Sequence, residues 1–336
     1  MIPGTPAEAR WICSAPRRSF PERDIARVVG SGFRSSLIVH VQPLIEGLRN
    51  ANFKVQIESP AISIVVRIYE HDASLCQKEI DLLSLLSASV PVPRVIHAEP
   101  EGLEGLPPFL LMEYVDGITF HALKQQPDSD AVSQAAFSVG ETLAAIGGFK
   151  FAQSGWLGPG PAVTSPLLEG PDPTPRFVDQ CLASKKVQLR LSAELRERTS
   201  ALMWSRKEQL AELDPQACLV HGDFGKRNVL VRCERGRWSV VAVLDWEFAV
   251  SYSPLADIGH FLRYERGSRP LVEPHFSAGY SQSGRALPNE WRRVARVVDL
   301  TALCESLSHD DLPGAFVGEL VELVRATVND RDPVMP

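Results

Sequence analysis

The stretch His221-Gly222-Asp223-Phe224-Gly225-Lys226-Arg227-Asn228, followed by Leu244-Asp245-Trp246-Glu247, places three carboxylates and one carboxamide on two short loops. Apolar runs anchor both: Leu219-Val220 and Val229-Leu230-Val231 flank the first, and Val243-Leu244 leads into the second. This set of groups suits phosphoryl transfer. Moving the terminal phosphoryl group of ATP needs a carboxylate to orient and deprotonate the acceptor, and oxygen ligands for the Mg²⁺ that neutralises charge on the phosphates. Asp223 is the candidate base, Asn228 a carboxamide ligand and Asp245 a second carboxylate.

At 336 residues and 44% hydrophobic, the chain can bury a large core in one or two domains without covalent staples. A net charge of -6 argues against a nucleic-acid binder, because phosphate-backbone affinity comes from clustered Lys and Arg. The six cysteines, Cys13, Cys76, Cys181, Cys218, Cys233 and Cys304, are widely spaced, with no C-x-x-C pair and no apolar targeting segment ahead of them. Reduced thiols in a cytoplasm are the expectation. No apolar run reaches the roughly 18 residues of a spanning helix, so no membrane partner is expected. The histidines form no zinc pattern, no G-x-x-x-x-G-K-[ST] loop is present, and no G-x-S-x-G elbow occurs.

Along the chain, Phe53 to Ile57 alternates and Ala61 to Tyr69 is β-branched and apolar; with Ser59-Pro60 between them they predict a hairpin. Cys76 to Leu86 has helical spacing and must stop before Val90-Pro91-Val92-Pro93. Phe109 to Val115 predicts a further strand. Ala131 to Ile146 is helical up to Gly147-Gly148, Gly155 to Pro175 reads as a Pro- and Gly-rich loop, and Phe177 to Leu213 reads as helix. Val297 to Leu307 predicts a buried helix carrying Asp299 and Glu305. These two acids, with Asp310 and Asp311, read as solvated or structural. Glu273, His275 and Tyr280, in a segment read as irregular, are pocket candidates.

His-Gly-Asp-x-x-x-x-Asn followed by Leu-Asp-Trp-Glu resembles the aminoglycoside phosphotransferase and choline kinase superfamily, and the resemblance covers nearly the whole chain. It implies an α+β, two-lobed protein-kinase-like fold with a small antiparallel-sheet N-lobe over residues 1–115 and a larger, mainly helical C-lobe over residues 116–336. ATP and Mg²⁺ would lie in the cleft between the lobes. By the resemblance, Gly47-Leu48-Arg49-Asn50 is the phosphate-covering turn, with Gly47 and Asn50 as binding residues. Arg67 takes the cation position on the third strand, Glu79 pairs with it, and Met112, Glu113, Tyr114 and Val115 form the adenine hinge. Asp223 is the catalytic base, Asn228 and Asp245 ligate Mg²⁺, and Glu247 is an auxiliary metal residue. His221 braces the loop, and Asp257, in Pro254-Leu255-Ala256-Asp257, supports it.

The chain departs from the family pattern in its single-glycine turn, in Arg rather than Lys at position 67, and in Gly147 where relatives carry Leu-His. An arginine still presents a permanently charged fork to phosphates. The expected product is a phosphate monoester of a small-molecule hydroxyl, with aminoglycosides, macrolides, choline-like alcohols, homoserine and sugars all open as acceptors. The alternative is a nucleotide-binding pseudokinase that recognises a partner. A protein kinase is disfavoured, because no Ala-Pro-Glu element follows Asp245. The kinase reading expects residues 223, 228 and 245 to serve one divalent ion.

Overall fold

The computed structural model describes residues 20–34, 36–44, 50–265, 269–310 and 312–329. It divides into two compact units: Met1–Gly117 with Gly158–Ala162 and Val241–Glu247, and Ile118–Leu157 with Val163–Val240 and Phe248–Pro336.

The first unit begins with α1 (Glu22–Gly32) and contains β1 (Ile38–Leu44), β2 (Ala51–Ile57), β3 (Ile62–Ile68), α2 (Ser74–Leu86), β4 (Val95–Glu99) and β5 (Phe109–Glu113). The strands form one antiparallel sheet in the order β1-β2-β3-β5-β4. Side chains alternate between the faces of a strand. Val55, Ile57, Ile64, Val66 and Ile68 therefore share a core with Ile25, Val28 and Val29 of α1. Arg67, between Val66 and Ile68, leaves the strand on the other side, where α2 carries Glu79. The predicted hairpin is present, pairing Asn52 with Arg67 and Val55 with Ile64. The strand predicted to run to Val115 ends at Glu113. Pro43 sits in β1, an edge strand, where a missing amide is tolerated.

The second unit is mainly helical. Its elements are β6 (Ile118–Thr119), α3 (Phe120–Lys124), α4 (Ser129–Ile146), β7 (Gly155–Leu157), β8 (Val163–Ser165), α5 (Pro173–Ala183), α6 (Lys185–Arg190), α7 (Ala193–Ser205) and α8 (Lys207–Ala211). There follow β9 (Cys218–Val220), β10 (Val229–Glu234), β11 (Arg237–Val243, whose last residues join the first unit), β12 (Val250–Tyr252), α9 (Leu255–Leu262), α10 (His275–Gln282), α11 (Trp291–Ser306) and α12 (Gly314–Val328). Short strands form a β8-β7-β12-β9 sheet and a β11-β10-β6 sheet. The fold is α+β, with an antiparallel-sheet amino-terminal region and a helical carboxyl-terminal region.

Three sequence expectations need correction. The predicted loop from Gly155 to Pro175 contains β7 and β8 and the start of α5. The helix predicted over 177–213 is several helices, because Ser184 and Ser192 cap new ones, accepting from the Val187 and Leu195 amides. The segment of His275 and Tyr280 is helical, not irregular. Tyr280 is buried against Phe276 rather than lining an open pocket, and Glu273 is tied to Arg292 and Ser277. No helix among the described residues is long and apolar enough to cross a membrane.

The tightest contact between helices joins α4 to α10. A Cβ on Gly140 would fall 2.1 Å from the Phe276 carbonyl oxygen, and one on Gly279 would fall 2.0 Å from that of Phe137. Backbone, not a yielding side chain, is what each methyl would strike. Gly140→Ala and Gly279→Ala should each destabilise by about 2–3 kcal/mol, seen as a lower urea midpoint at unchanged slope. Gly318→Ala, where nothing lies within 4 Å, should be neutral or stabilising.

Candidate active site

The Asp223 loop is the connection from β9 to β10. Pairing of Val220 with Val250 of β12 fixes its entry, and Val229 and Val231, both buried, fix its exit. Gly222 has φ +80, and a Cβ there would lie 2.3 Å from the Phe248 carbonyl oxygen, so the tight turn admits only glycine. Phe224, fully buried, plugs the loop into an aromatic row: its ring lies 5.8 Å from His221 and 5.7 Å from Phe261, which lies 5.5 Å from Phe276.

A buried carboxylate from α9 clamps the backbone. Asp257 Oδ2 accepts the His221 amide at 2.7 Å, and its Oδ1 accepts that of Gly222 at 3.0 Å. Burial pushes the Asp257 carboxyl up to about 6, against the opposing pull of His221 and the two amides. His221 is buried, and its Nδ1 accepts the Asp223 amide at 3.2 Å, so this ring nitrogen is an acceptor bracing the loop. Asn228 donates Nδ2 to the Asp223 carbonyl oxygen at 2.9 Å and to Oδ2 at 3.1 Å. Its amide oxygen is thereby turned away from Asp223. His260, one helical turn after Asp257, stands with Nε2 3.5 Å from Asp223 Oδ1. Held on its backbone side, the Asp223 side chain keeps 34% of its surface exposed.

Of the residues placed by resemblance in the amino-terminal region, Arg67 meets Glu79, and Asp245 joins the pair. Arg67 Nη1 donates to Glu79 Oε1 and Oε2 at 2.6 and 2.7 Å and lies 3.2 Å from Asp245 Oδ1, while its Nε donates to Asn52 at 3.1 Å. Tyr69 donates its hydroxyl to Glu79 Oε2 at 2.5 Å, and the Trp246 amide reaches Oε1 at 3.4 Å. Burial alone would lower the Arg67 pKa, but Glu79 and then Asp245 outweigh it and hold it well above its ordinary value. The guanidinium is a fixed cation. Asp245 has φ +70, a left-handed conformation costly for a residue with a Cβ. The buried Trp246 ring, with Nε1 on the Val243 carbonyl oxygen at 3.1 Å, helps to hold that turn.

Glu247 is 2% exposed, accepts Asn50 Nδ2 at 2.9 Å, and its carbonyl oxygen receives Lys78 Nζ at 2.9 Å. Burial lowers Lys78 to about 8, with Glu247 and Glu79 opposing. Asn50 is thus a buried partner of Glu247. Gly47 lies outside the described residues. Met112 is buried, Glu113 Oε2 lies 3.5 Å from Arg94 Nε, and Tyr114 carries Lys54 Nζ 3.6 Å from its ring centre. Val115 follows β5, partly exposed. Asp223 and Asn228 belong to one unit, and Asp245, Glu247, Arg67 and Glu79 to the other.

Sequence reasoning passed over Lys78, Tyr69, Asn52 and His260. Tyr69 and Asn52 carried a readable signal: paired in the hairpin register, Asn52 faces Arg67, and Tyr69 follows it by two. His260 carried the i,i+3 spacing from Asp257.

Each unit carries an oxygen donor of the kind Mg²⁺ takes. Asp245 offers a carboxylate that is 24% exposed, Asn228 offers an amide oxygen, and both are hard oxygen ligands. No group of three or more His, Cys, Asp or Glu side chains that could hold a metal gathers among the described residues.

The profile of the phosphotransferase enzyme family matches residues 40–296. The chain belongs to this family. Solved members of similar fold include a thermostable mutant of aminoglycoside phosphotransferase APH(4)-Ia in ternary complex with ADP and hygromycin B, at TM-score 0.64 and 18% identity over 92% of this chain and 99% of that one. The GDP and kanamycin complex of APH(2")-IIIa aligns at TM-score 0.65 and 18% identity, over 92% and 99% of the two chains. Among curated proteins, acyl-CoA dehydrogenase family member 11 of Pongo abelii is 26% identical over 211 residues, 61% of this chain. The chain spans about a quarter of that relative's length, the aligned part being 25% of it.

The Asp257 clamp is testable by pH. Its folded pKa lies above the ordinary 3.8, so its stabilising contribution is complete below about pH 4 and lost as pH rises through about 6. The stability advantage of the native protein over Asp257→Asn should shrink across that window by on the order of 2–3 kcal/mol, measured by denaturant unfolding at each pH.

Proposed function

We propose that this phosphotransferase-family chain transfers the γ-phosphoryl group of ATP, with Mg²⁺, to a hydroxyl of a small molecule. The observation that carries the reading is the Asp223 loop: a partly exposed carboxylate whose backbone is held by Asp257 and His221 and whose side chain is oriented by Asn228. In this reading residues 1–115 serve the nucleotide and residues 116–336 the acceptor.

Asp223 accepts the acceptor's proton as its oxygen bonds to the γ-phosphorus. The bond from that phosphorus to the β,γ-bridging oxygen breaks, and ADP leaves. Arg67, fixed by Glu79, orients the α and β oxygens; Met112 to Val115 border the base; Asn50 acts by fixing Glu247. Asn228, Asp245 and Glu247 would hold Mg²⁺, which when bound neutralises the developing charge. The family neighbours bind either adenine or guanine nucleotides, so ATP and GTP are both to be assayed.

The direct experiment is coupled ADP release with Mg²⁺ across aminoglycosides, macrolides, amino alcohols and sugars. Hydroxylated acyl-CoA thioesters belong in the same screen, because the curated relative is named for acyl-CoA. Asp223→Ala should lower turnover by about 10³-fold or more while nucleotide affinity stays within a few-fold; retained turnover would remove Asp223 from the role of base. Nucleotide binding without ADP release from any acceptor would favour the pseudokinase alternative. Arg67→Met should raise the ATP KM about tenfold, roughly one charge-assisted contact, and Glu79→Gln should do the same by freeing the guanidinium. An unchanged ATP KM in both variants would take the pair out of nucleotide binding.

A further inference from the structure

A carboxylate held at one oxygen can still turn about its Cβ–Cγ bond, because a torsion from a tetrahedral to a planar carbon has broad, shallow wells. Asn228 holds Asp223 at Oδ2, at 3.1 Å. The other oxygen, Oδ1, faces the imidazole of His260, whose Nε2 stands 3.5 Å away. All three residues belong to the same compact unit.

The approach of that ring is built into the fold. His260 lies on α9 three residues after Asp257, a spacing that puts both side chains on one face of the helix. The helix that clamps the loop backbone at His221 and Gly222 therefore also presents a ring to the carboxylate. Phe261, the next residue, is fully buried against the rings of Phe224 and Phe276 and fixes the helix against the loop. Gly225, two residues after Asp223, leaves the imidazole its space: a Cβ there would lie 3.4 Å from His260 Nε2. The His260 side chain keeps 16% of its surface exposed and that of Asp223 34%, so the pair borders solvent rather than being sealed in the core.

We propose that His260 is a positioning residue for the base: its Nε2–H donates to Asp223 Oδ1 as an acceptor alcohol enters and, with Asn228 on Oδ2, fixes the plane of the carboxylate. The proposal rests on the phosphotransferase reading and adds a residue to it. A separation of 3.5 Å is at the long end of hydrogen bonding, and catalytic hydrogen bonds tighten from such distances when substrate is bound. An ionised carboxylate offers about four lone-pair sites, so two donors leave room for the hydroxyl proton. The acceptor O–H bond breaks as its oxygen bonds to the γ-phosphorus, the proton goes to Asp223, and His260 keeps its own. A permanent cation in the same place would orient the base but also weaken its hold on that proton.

The test compares His260→Met with His260→Gln in the full chain. The two introduced side chains match in length and shape, and only glutamine ends in an N–H donor. Each variant is given MgATP with water as the acceptor, and then the acceptors of the ADP-release screen. His260→Met should lower kcat about tenfold while moving the ATP KM less than about twofold, because a base held at one oxygen is aligned for less of the time, and His260→Gln should recover kcat to within about threefold of the native value. A residue that merely fills space would not separate the two variants. A second measurement needs no turnover: in a cycle of His260→Met, Asp223→Ala and the double variant, the melting-temperature shifts should depart from additivity by about 1 °C or more. Native kcat in His260→Met, equal loss in both variants, or additivity in the cycle overturns the inference and leaves the phosphotransferase reading standing. A raised ATP KM with unchanged kcat assigns His260 to the nucleotide and also overturns it. ADP release by the native chain to neither water nor any acceptor would instead overturn the phosphotransferase reading, while a coupled cycle would keep His260 as the partner of Asp223.

Discussion

A carboxylate taken out of water must be met by donors or it will not stay charged, and this protein uses one such group to hold each of its two candidate site segments. Asp257 accepts two successive amides at the start of the Asp223 loop. Glu79 receives Arg67, Tyr69 and the Trp246 amide. In both places the buried acid does not face solvent. It fixes the residues that do, and the side chains left partly exposed are Asp223 and Asp245.

The rigidity of these positions comes from aromatic packing beneath them. Phe224 and Trp246 each follow a candidate site aspartate by one residue and are fully buried. A side chain anchored in the core leaves its neighbour little backbone freedom, and this is how Asp245 is kept at φ +70, where isolated aspartate would seldom remain. Arg67 in place of lysine fits the same logic, since a guanidinium can bond Glu79, Asn52 and Asp245 together, which an ammonium on the same stem could not match in geometry.

Much of this was legible beforehand. The alternating residues of β2 and β3 and the helical spacing of α2 and α4 mark elements whose cores are local in sequence, and local periodicity is what a chain displays. Gly147 ends α4 as its position suggests. The misreadings have local causes as well: the Ser184 and Ser192 caps interrupt a stretch that periodicity joins, and the short β7 and β8 are hidden by Pro and Gly. The helix of Tyr280 lacked polar and apolar segregation because α10 is pressed against α4 through Gly140 and Gly279.

By itself, the sequence determined the phosphotransferase motif, its order and spacing, and the strands and helices whose burial repeats along the chain. Tertiary structure alone decided which charges are cancelled. Asp299 finds Arg263 across 36 positions and Lys124 finds Glu265 across 141. An acid reads the same in a sequence whether it waits for a cationic ligand or already has one. Net charge sums over the molecule, while recognition depends on the few charges left unbalanced at one place, and that remainder exists only once distant residues have met.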